Sequence, residues 1–173
     1  LVIHKFDYLD TPNSGLPKKS LIQIEQKGSN ILSKHAGGCH CGKIKLETDL
    51  DPMLVSLCNC GRCRTLFGAV ALGAMYADEE VSVVGETKAY EFIGGSGMQE
   101  INHFCADCGC RISSVAEAFP GMVMFVVGVF DNATSFEPKG EIFTNYKLPW
   151  LKDDGCIQES FEESAVSERI MLL

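Results

Sequence analysis

Short apolar segments recur along most of the chain, and where apolar and polar positions alternate the period is two. Ile44 and Leu46 alternate with Lys43, Lys45 and Glu47, which predicts a strand with one buried face. Leu54 to Leu57, Val70 to Tyr76 and Val81 to Val84 are apolar runs of strand length. Tyr90 to Ile93 and Met98 to Phe104 flank Gly94-Gly95-Ser96-Gly97, a glycine-rich link suited to a hairpin. Arg111 to Val115, Met122 to Phe130 and Ile142 to Tyr146 complete the strand set; the second is apolar at nearly every position, which predicts burial of both its faces. Arg62 to Phe67 suits a turn or short helix. Beyond Gly155, the spacing of Ile157, Phe161, Ala165 and Ile170, with Glu159, Glu162, Glu163 and Glu168 between, predicts a short amphipathic C-terminal helix. The fold class that follows is mainly β.

Residues 1–34 pattern weakly. Thr11-Pro12-Asn13-Ser14-Gly15 and Leu16-Pro17 break them, and only Ile22 and Ile24 alternate. They read as an arm packed on a domain of residues 35–173; the sharper alternative has the arm covering the active site or the partner in a homodimer. With 173 residues, 46% hydrophobic and 22% charged, the chain suits one domain burying roughly 70% of its unfolded surface. A net charge of -8 and a pI near 5.0 argue against nucleic acid as a partner, because tracking phosphates needs a basic face. No apolar run nears the roughly 20 residues that span a bilayer, and Leu1 to Leu9 is interrupted by His4, Lys5 and Asp7. The expectation is a protein without membrane contact.

Nine cysteines change the picture. The central run, Cys58-Asn59-Cys60-Gly61-Arg62-Cys63, is flanked by Cys39-His40-Cys41 upstream and Cys105-Ala106-Asp107-Cys108 downstream. An odd count with C-x-C and C-x2-C spacing favours metal over a disulfide framework, and so a reducing compartment, most simply the cytoplasm. Four flanking cysteines make one closed tetrahedral zinc site. The central three leave a zinc with an open fourth position, which is the division between structural and catalytic zinc. A different pairing, Cys60-x2-Cys63 with Cys105-x2-Cys108, would build a zinc ribbon but leave Cys39, Cys41 and Cys58 without a role.

The segments GGCHCGKIKLE, CNCGRCRTLFGA and HFCADCGCRI, and more loosely EIFTNYKLPWLKDDG, resemble the glutathione-dependent formaldehyde-activating enzyme family, which includes centromere protein V-like proteins. The resemblance runs from about Gly37 to Gly155. It implies a β-tent fold, several small antiparallel sheets held around zinc, with two zinc ions per chain. Cys39, Cys41, Cys105 and Cys108 would hold the structural ion, and Cys58, Cys60 and Cys63 the catalytic one. The implied activity is that of a carbon–sulfur lyase, condensing glutathione with formaldehyde to S-hydroxymethylglutathione. Cys110 stands where the family commonly has a small hydroxyl or similar residue, and Cys156 lies outside the motifs; both read as passengers.

Three thiolates and a zinc ion carry a net charge near -1, so such a metal is a weak Lewis acid that readily exchanges a soft fourth ligand. A thiol fits, and coordination deprotonates it at neutral pH. That is chemistry for making or breaking carbon–sulfur bonds, in agreement with the implied activity on a thiol such as glutathione and a small electrophile such as an aldehyde. Arg62 and Arg64 flank Cys63, where they either hold a substrate carboxylate or offset the zinc–thiolate charge. His103 reads as a satisfied half-buried histidine, or else a proton shuttle. His40, between two ligands, points away from the metal. Tyr146 and Trp150 are core aromatics or pocket walls, and Asn59 and Phe67 are further pocket candidates. Two other functions compete: a noncatalytic zinc-binding module for protein contacts, and a redox thiol protein using its C-x2-C motifs.

Overall fold

The period-two segments become strands, in a computed structural model that describes residues 33–152 and 155–164. In chain order these are β1 (His35–Gly38), β2 (Lys45–Thr48), β3 (Leu54–Cys58), β4 (Ala71–Ala77), β5 (Ser82–Val84), β6 (Thr87–Ile93), β7 (Gln99–Cys105), β8 (Arg111–Ala116), β9 (Met122–Val126), β10 (Gly140–Ile142) and β11 (Glu159–Ser160). The α-helix among the described residues, α1 (Gly61–Phe67), follows β3 directly. The arm predicted for 1–34 falls almost wholly outside the described residues. No described helix is long and apolar enough to cross a membrane.

The strands form two sheets. A three-stranded antiparallel sheet has the order β1-β2-β5, and an eight-stranded sheet the order β11-β10-β3-β4-β9-β8-β7-β6. One face of the large sheet carries Val55, Ala74, Tyr76, Ile112, Val123 and Phe125 into a core shared with Ile44 and Leu46 of the small sheet. Val127, Val129, Phe130 and Phe136 close that core. Leu54 and Met75 anchor a second apolar cluster, with Met122, Met124, Ile142 and Phe161 packed around them. Cross-strand partners share a face. The register Leu54↔Met75↔Met124↔Ser114↔Asn102 therefore traces one continuous face, which also carries Ser56 and Cys58 of β3 and Glu100 of β7.

Four elements depart from the pattern reading. The segment Met122 to Phe130 is a strand only to Val126 and continues as a 3-10 turn, Val127–Val129. Along β9 the buried residues alternate with half-buried ones, so only one face is fully covered. Ile142 to Tyr146 is likewise divided: β10 stops at Ile142 because Phe143 takes a left-handed conformation, φ 58°, before a 3-10 turn at Thr144–Tyr146. The large sheet is not purely antiparallel, since β10 arrives through segment 127–139 rather than a hairpin and runs parallel to β3. Finally, residues 155–164 hold no helix. Glu159–Ser160 instead pairs parallel with β10, and the Phe161 N–H donates to the Glu141 carbonyl at 3.0 Å. The free edge of β10 supplies backbone partners that outweigh the helical spacing; Ala165, Glu168 and Ile170 lie outside the described residues.

Glu141 holds this edge. It is 4% exposed and accepts hydrogen bonds from Lys147 Nζ (2.8 and 3.0 Å), Ser160 Oγ (2.9 Å) and Asn59 Nδ2 (3.3 Å). One carboxylate so joins β10, β11, the turn after Phe143 and the residue that follows Cys58. Glu141→Ala leaves the largely covered Lys147 ammonium without its anion and should cost about 3 kcal/mol of unfolding free energy. Denaturant unfolding checks this, and a loss below about 1 kcal/mol would show the network to be dispensable.

Candidate metal centres and active site

Two clusters of cysteine sulfurs could hold metal ions among the described residues: Cys39, Cys41, Cys105 and Cys108, and separately Cys58, Cys60 and Cys63. Within each, the sulfurs all lie within 4.8 Å of one another. The four-sulfur cluster joins the two sheets. Cys39 and Cys41 follow β1 of the small sheet, while Cys105 ends β7 of the large one and Cys108 lies in the turn beyond. Each half is a tight knuckle. The Gly42 N–H donates to the Cys39 carbonyl at 2.9 Å, and the Gly109 N–H to the Cys105 carbonyl at 2.9 Å. Both glycines have positive φ, 76° and 69°, which a side chain would resist. The Ile44 N–H donates to Cys39 Sγ at 3.2 Å. Burial acts most strongly on the Cys39 thiol and pushes it up. That backbone donor and the neighbouring thiols of Cys41, Cys105 and Cys108 together outweigh burial and bring it down to about 6.

These separations suit a tetrathiolate. With metal–sulfur bonds of about 2.3 Å, a tetrahedral zinc site has sulfur–sulfur edges of roughly 3.8 Å. Cys39 and Cys41 Sγ lie 3.4 Å apart, and Cys41 and Cys105 Sγ 3.7 Å.

The central cluster is built by a strand running into a helix. Cys58 is the last residue of β3, Cys60 caps α1, and Cys63 sits in its first turn. The Cys63 N–H donates to Cys60 Sγ at 3.3 Å, so the cap is itself a sulfur. Hydrogen bonds from the Cys58 and Cys63 thiols bring the Cys60 thiol far below the usual thiol range, while Cys58 and Cys63 are pushed up by the same sharing. Cys60 is buried and its two partners half-buried.

Polar residues share the sheet face of Cys58. Asn102 is 1% exposed, yet neither its Nδ2 nor its Oδ1 has a hydrogen-bond partner among the described residues. Glu100, two positions back in β7, has its carboxyl pushed up by burial first and then by the Cys60 charge, with Arg111 and Arg62 opposing. The hairpin linking β6 and β7 bends over this face. A Cβ on Gly95 would meet the Phe143 ring at 2.9 Å, which places the hairpin tip against the residue after Ile142, the register partner of Cys58. Phe143 is buried in its left-handed conformation, a strained state for a bulky side chain. Beyond α1, an open cavity of about 360 Å³ is lined by Leu66, Tyr90, Phe104, Gly109 and Arg111.

The other residues singled out from the sequence fall into three groups. Arg62 is exposed on α1, whereas Arg64 is half-buried and donates from Nη1 to the Tyr146 carbonyl at 3.1 Å. Phe67 lies under the Arg111 guanidinium, and Asn59 is buried, donating to Glu141 and to the Ile142 carbonyl at 3.2 Å. Tyr146 and Trp150 are 51% and 65% exposed, so neither is a core aromatic. His103 is half-buried, with Nδ1 3.4 Å from Thr87 Oγ1 and its pKa lowered by burial. It pairs in register with Ser113, on the core side of the sheet, away from the central sulfurs. His40, Cys110 and Cys156 belong to neither cluster. Glu100, Asn102, Arg111 and Phe143 were not singled out. The signal for the first two was a strand, Gln99 to Cys105, that has polar residues on both faces.

A family model described as glutathione-dependent formaldehyde-activating enzyme matches residues 34–146. A comparison with curated proteins returns no match. Among solved structures, a Rhodobacter sphaeroides protein aligns with a TM-score of 0.44 and 20% identity, over 73% of this chain and 98% of that one.

Protein purified without chelator should contain about two metal ions per chain by elemental analysis. Cys105→Ser should lower thermal stability far more than Cys60→Ser, because the four-sulfur site ties two sheets together and metal binding there is folding free energy. The reverse ranking would exchange the roles of the two clusters.

Proposed function

The chain belongs to the glutathione-dependent formaldehyde-activating enzyme family, and from that premise we propose that it is a zinc-dependent carbon–sulfur lyase-type enzyme acting on a thiol adduct of a small electrophile such as an aldehyde. Glutathione is the leading thiol. The observation that carries this reading is the inequality of the two clusters: four sulfurs in one, three in the other. Cys39, Cys41, Cys105 and Cys108 hold a structural zinc, and Cys58, Cys60 and Cys63 a catalytic one. A zinc held by three thiolates supplies one open position that favours a soft ligand and lowers the pKa of a thiol placed there.

The protein's own groups then divide the work. Cys58, Cys60 and Cys63 fix the reacting sulfur at the mouth of α1. Arg62 and Arg64 put positive charge beside Cys63, where it offsets the sulfur-rich site and attracts a carboxylate-bearing thiol. In the condensation the sulfur forms a bond to the aldehyde carbon, the carbonyl π pair moves to oxygen, and that oxygen takes up a proton in exchange for the one the thiol released. Asn102 and Glu100 offer a hydrogen-bond donor and a carboxyl that burial pushes up, on the face where the oxygen would lie. Phe143 and the hairpin tip cover that face and limit water. Reduced cysteines are required throughout, so the setting we propose is the cytoplasm.

Replacing the metal by cobalt tests the reading directly. Adding glutathione should change the visible sulfur-to-metal absorption of the central site and leave that of the four-sulfur site unaltered. An unchanged spectrum at saturating glutathione would favour a noncatalytic zinc module.

A further inference from the structure

Arg111 opens β8 immediately after the downstream knuckle, and its guanidinium carbon lies 4.7 Å from the centre of the Phe67 ring. Phe67 stands four residues after Cys63 in α1 and Leu66 three, so both share the helix face of a central sulfur, one turn away. The cation therefore stands against a side chain on the helix face that carries Cys63. Its Nε and Nη2 groups are buried, and neither has a hydrogen-bond partner among the described residues. Those two N–H groups form one edge of the guanidinium fork, the edge that meets a carboxylate with two parallel hydrogen bonds.

Two covered donors left unused on a half-buried cation are costly unless something answers them. Burial does act against the charge of Arg111, and the charges of Glu100 and Cys63 oppose it. The neighbouring arginines are differently placed: Arg64 has the Tyr146 carbonyl, and Arg62 is exposed and free to be solvated. Arg111 also lines the open cavity with Leu66, Tyr90, Phe104 and Gly109. Leu66, three residues after Cys63 in α1, is one of its walls, and the remaining walls offer apolar and aromatic surface to the body of an extended ligand.

We propose that Arg111 is the carboxylate-binding residue for the thiol substrate, holding the acidic end of the molecule in this cavity while its sulfur lies at Cys58, Cys60 and Cys63. The inference rests on the thiol-handling function above and narrows it to thiols that carry a carboxylate. Arg111 acts in binding and positioning, and the preference for glutathione over small neutral or cationic thiols resides in its fork.

Two probes separate the functions. S-methylglutathione keeps both carboxylates but has no free thiol, whereas cysteamine has a thiol and no carboxylate. Calorimetric titration of the zinc protein with S-methylglutathione should show Arg111→Gln binding roughly ten- to a hundredfold more weakly than wild type. Arg111→Lys should recover part of the loss as a point charge without the fork. Cysteamine titrations of the cobalt forms should give the same affinity in all three proteins. Equal S-methylglutathione affinity in wild type and Arg111→Gln overturns the proposal and leaves the thiol-handling function standing. So does failure of S-methylglutathione to bind a wild type that takes up glutathione. A parallel loss of cysteamine affinity or of bound metal in Arg111→Gln overturns it in favour of a structural role beside the sulfurs. A wild type that takes up neither glutathione nor cysteamine removes the thiol-handling function and this proposal together.

Discussion

The meeting of four sulfurs from two sheets is the constraint on which the rest of the structure depends. The small sheet has strands of four, four and three residues, too short to be stable alone. Its apolar contribution is chiefly Ile44, Leu46 and Val81. A metal held by Cys39, Cys41, Cys105 and Cys108 would clamp this sheet to the end of β7 and the start of β8. The same clamp sets where those two strands present their other residues: Glu100 and Asn102 from β7, Arg111 from β8. The two sulfur clusters are thus linked through the strands, although they share no residue.

The two faces of the large sheet have opposite duties. One is a conventional core, with aromatic rings of Tyr76, Phe125, Phe130 and Phe136 packed against one another. The other has a buried amide without hydrogen-bond partners among the described residues, a carboxyl pushed up by burial and three sulfurs at one end. Such a face costs stability, and its cover is correspondingly elaborate: the Gly94–Gly97 hairpin tip lies on Phe143, and Glu141 ties the strands beneath. Strain at Phe143 sits at this boundary, where local backbone cost is tolerated because both neighbours fix it.

Much of this was legible from residue order, and the limits were physical. Strands such as Lys45–Thr48 and Leu54–Cys58 follow from period-two alternation and apolar runs, since each buries at least one face. Cysteine spacing pointed to sulfur clusters able to hold metal, yet spacing alone also permitted a ribbon from Cys60, Cys63, Cys105 and Cys108. The structure places those two pairs in different clusters. What residue order could not supply was long-range register. Glu159–Ser160 has helical spacing around it and becomes a strand because an open edge awaits it. Asn102 and Arg111 look like ordinary strand residues until the hairpin and α1 are folded over them. Trp150 and Tyr146 look like core and are exposed, because the chain has already left the sheet at Phe143.

The central claim is that the three-sulfur cluster leaves a coordination position open to a thiol while the four-sulfur cluster is closed. X-ray absorption at the zinc edge of the fully loaded protein measures this as the mean number of sulfurs around each metal. The expected value is about 3.5 for the protein alone, rising to about 4 when glutathione is added. A value of about 4 before any thiol is added, unchanged by glutathione, would contradict the claim, because it would mean that the chain itself closes both sites.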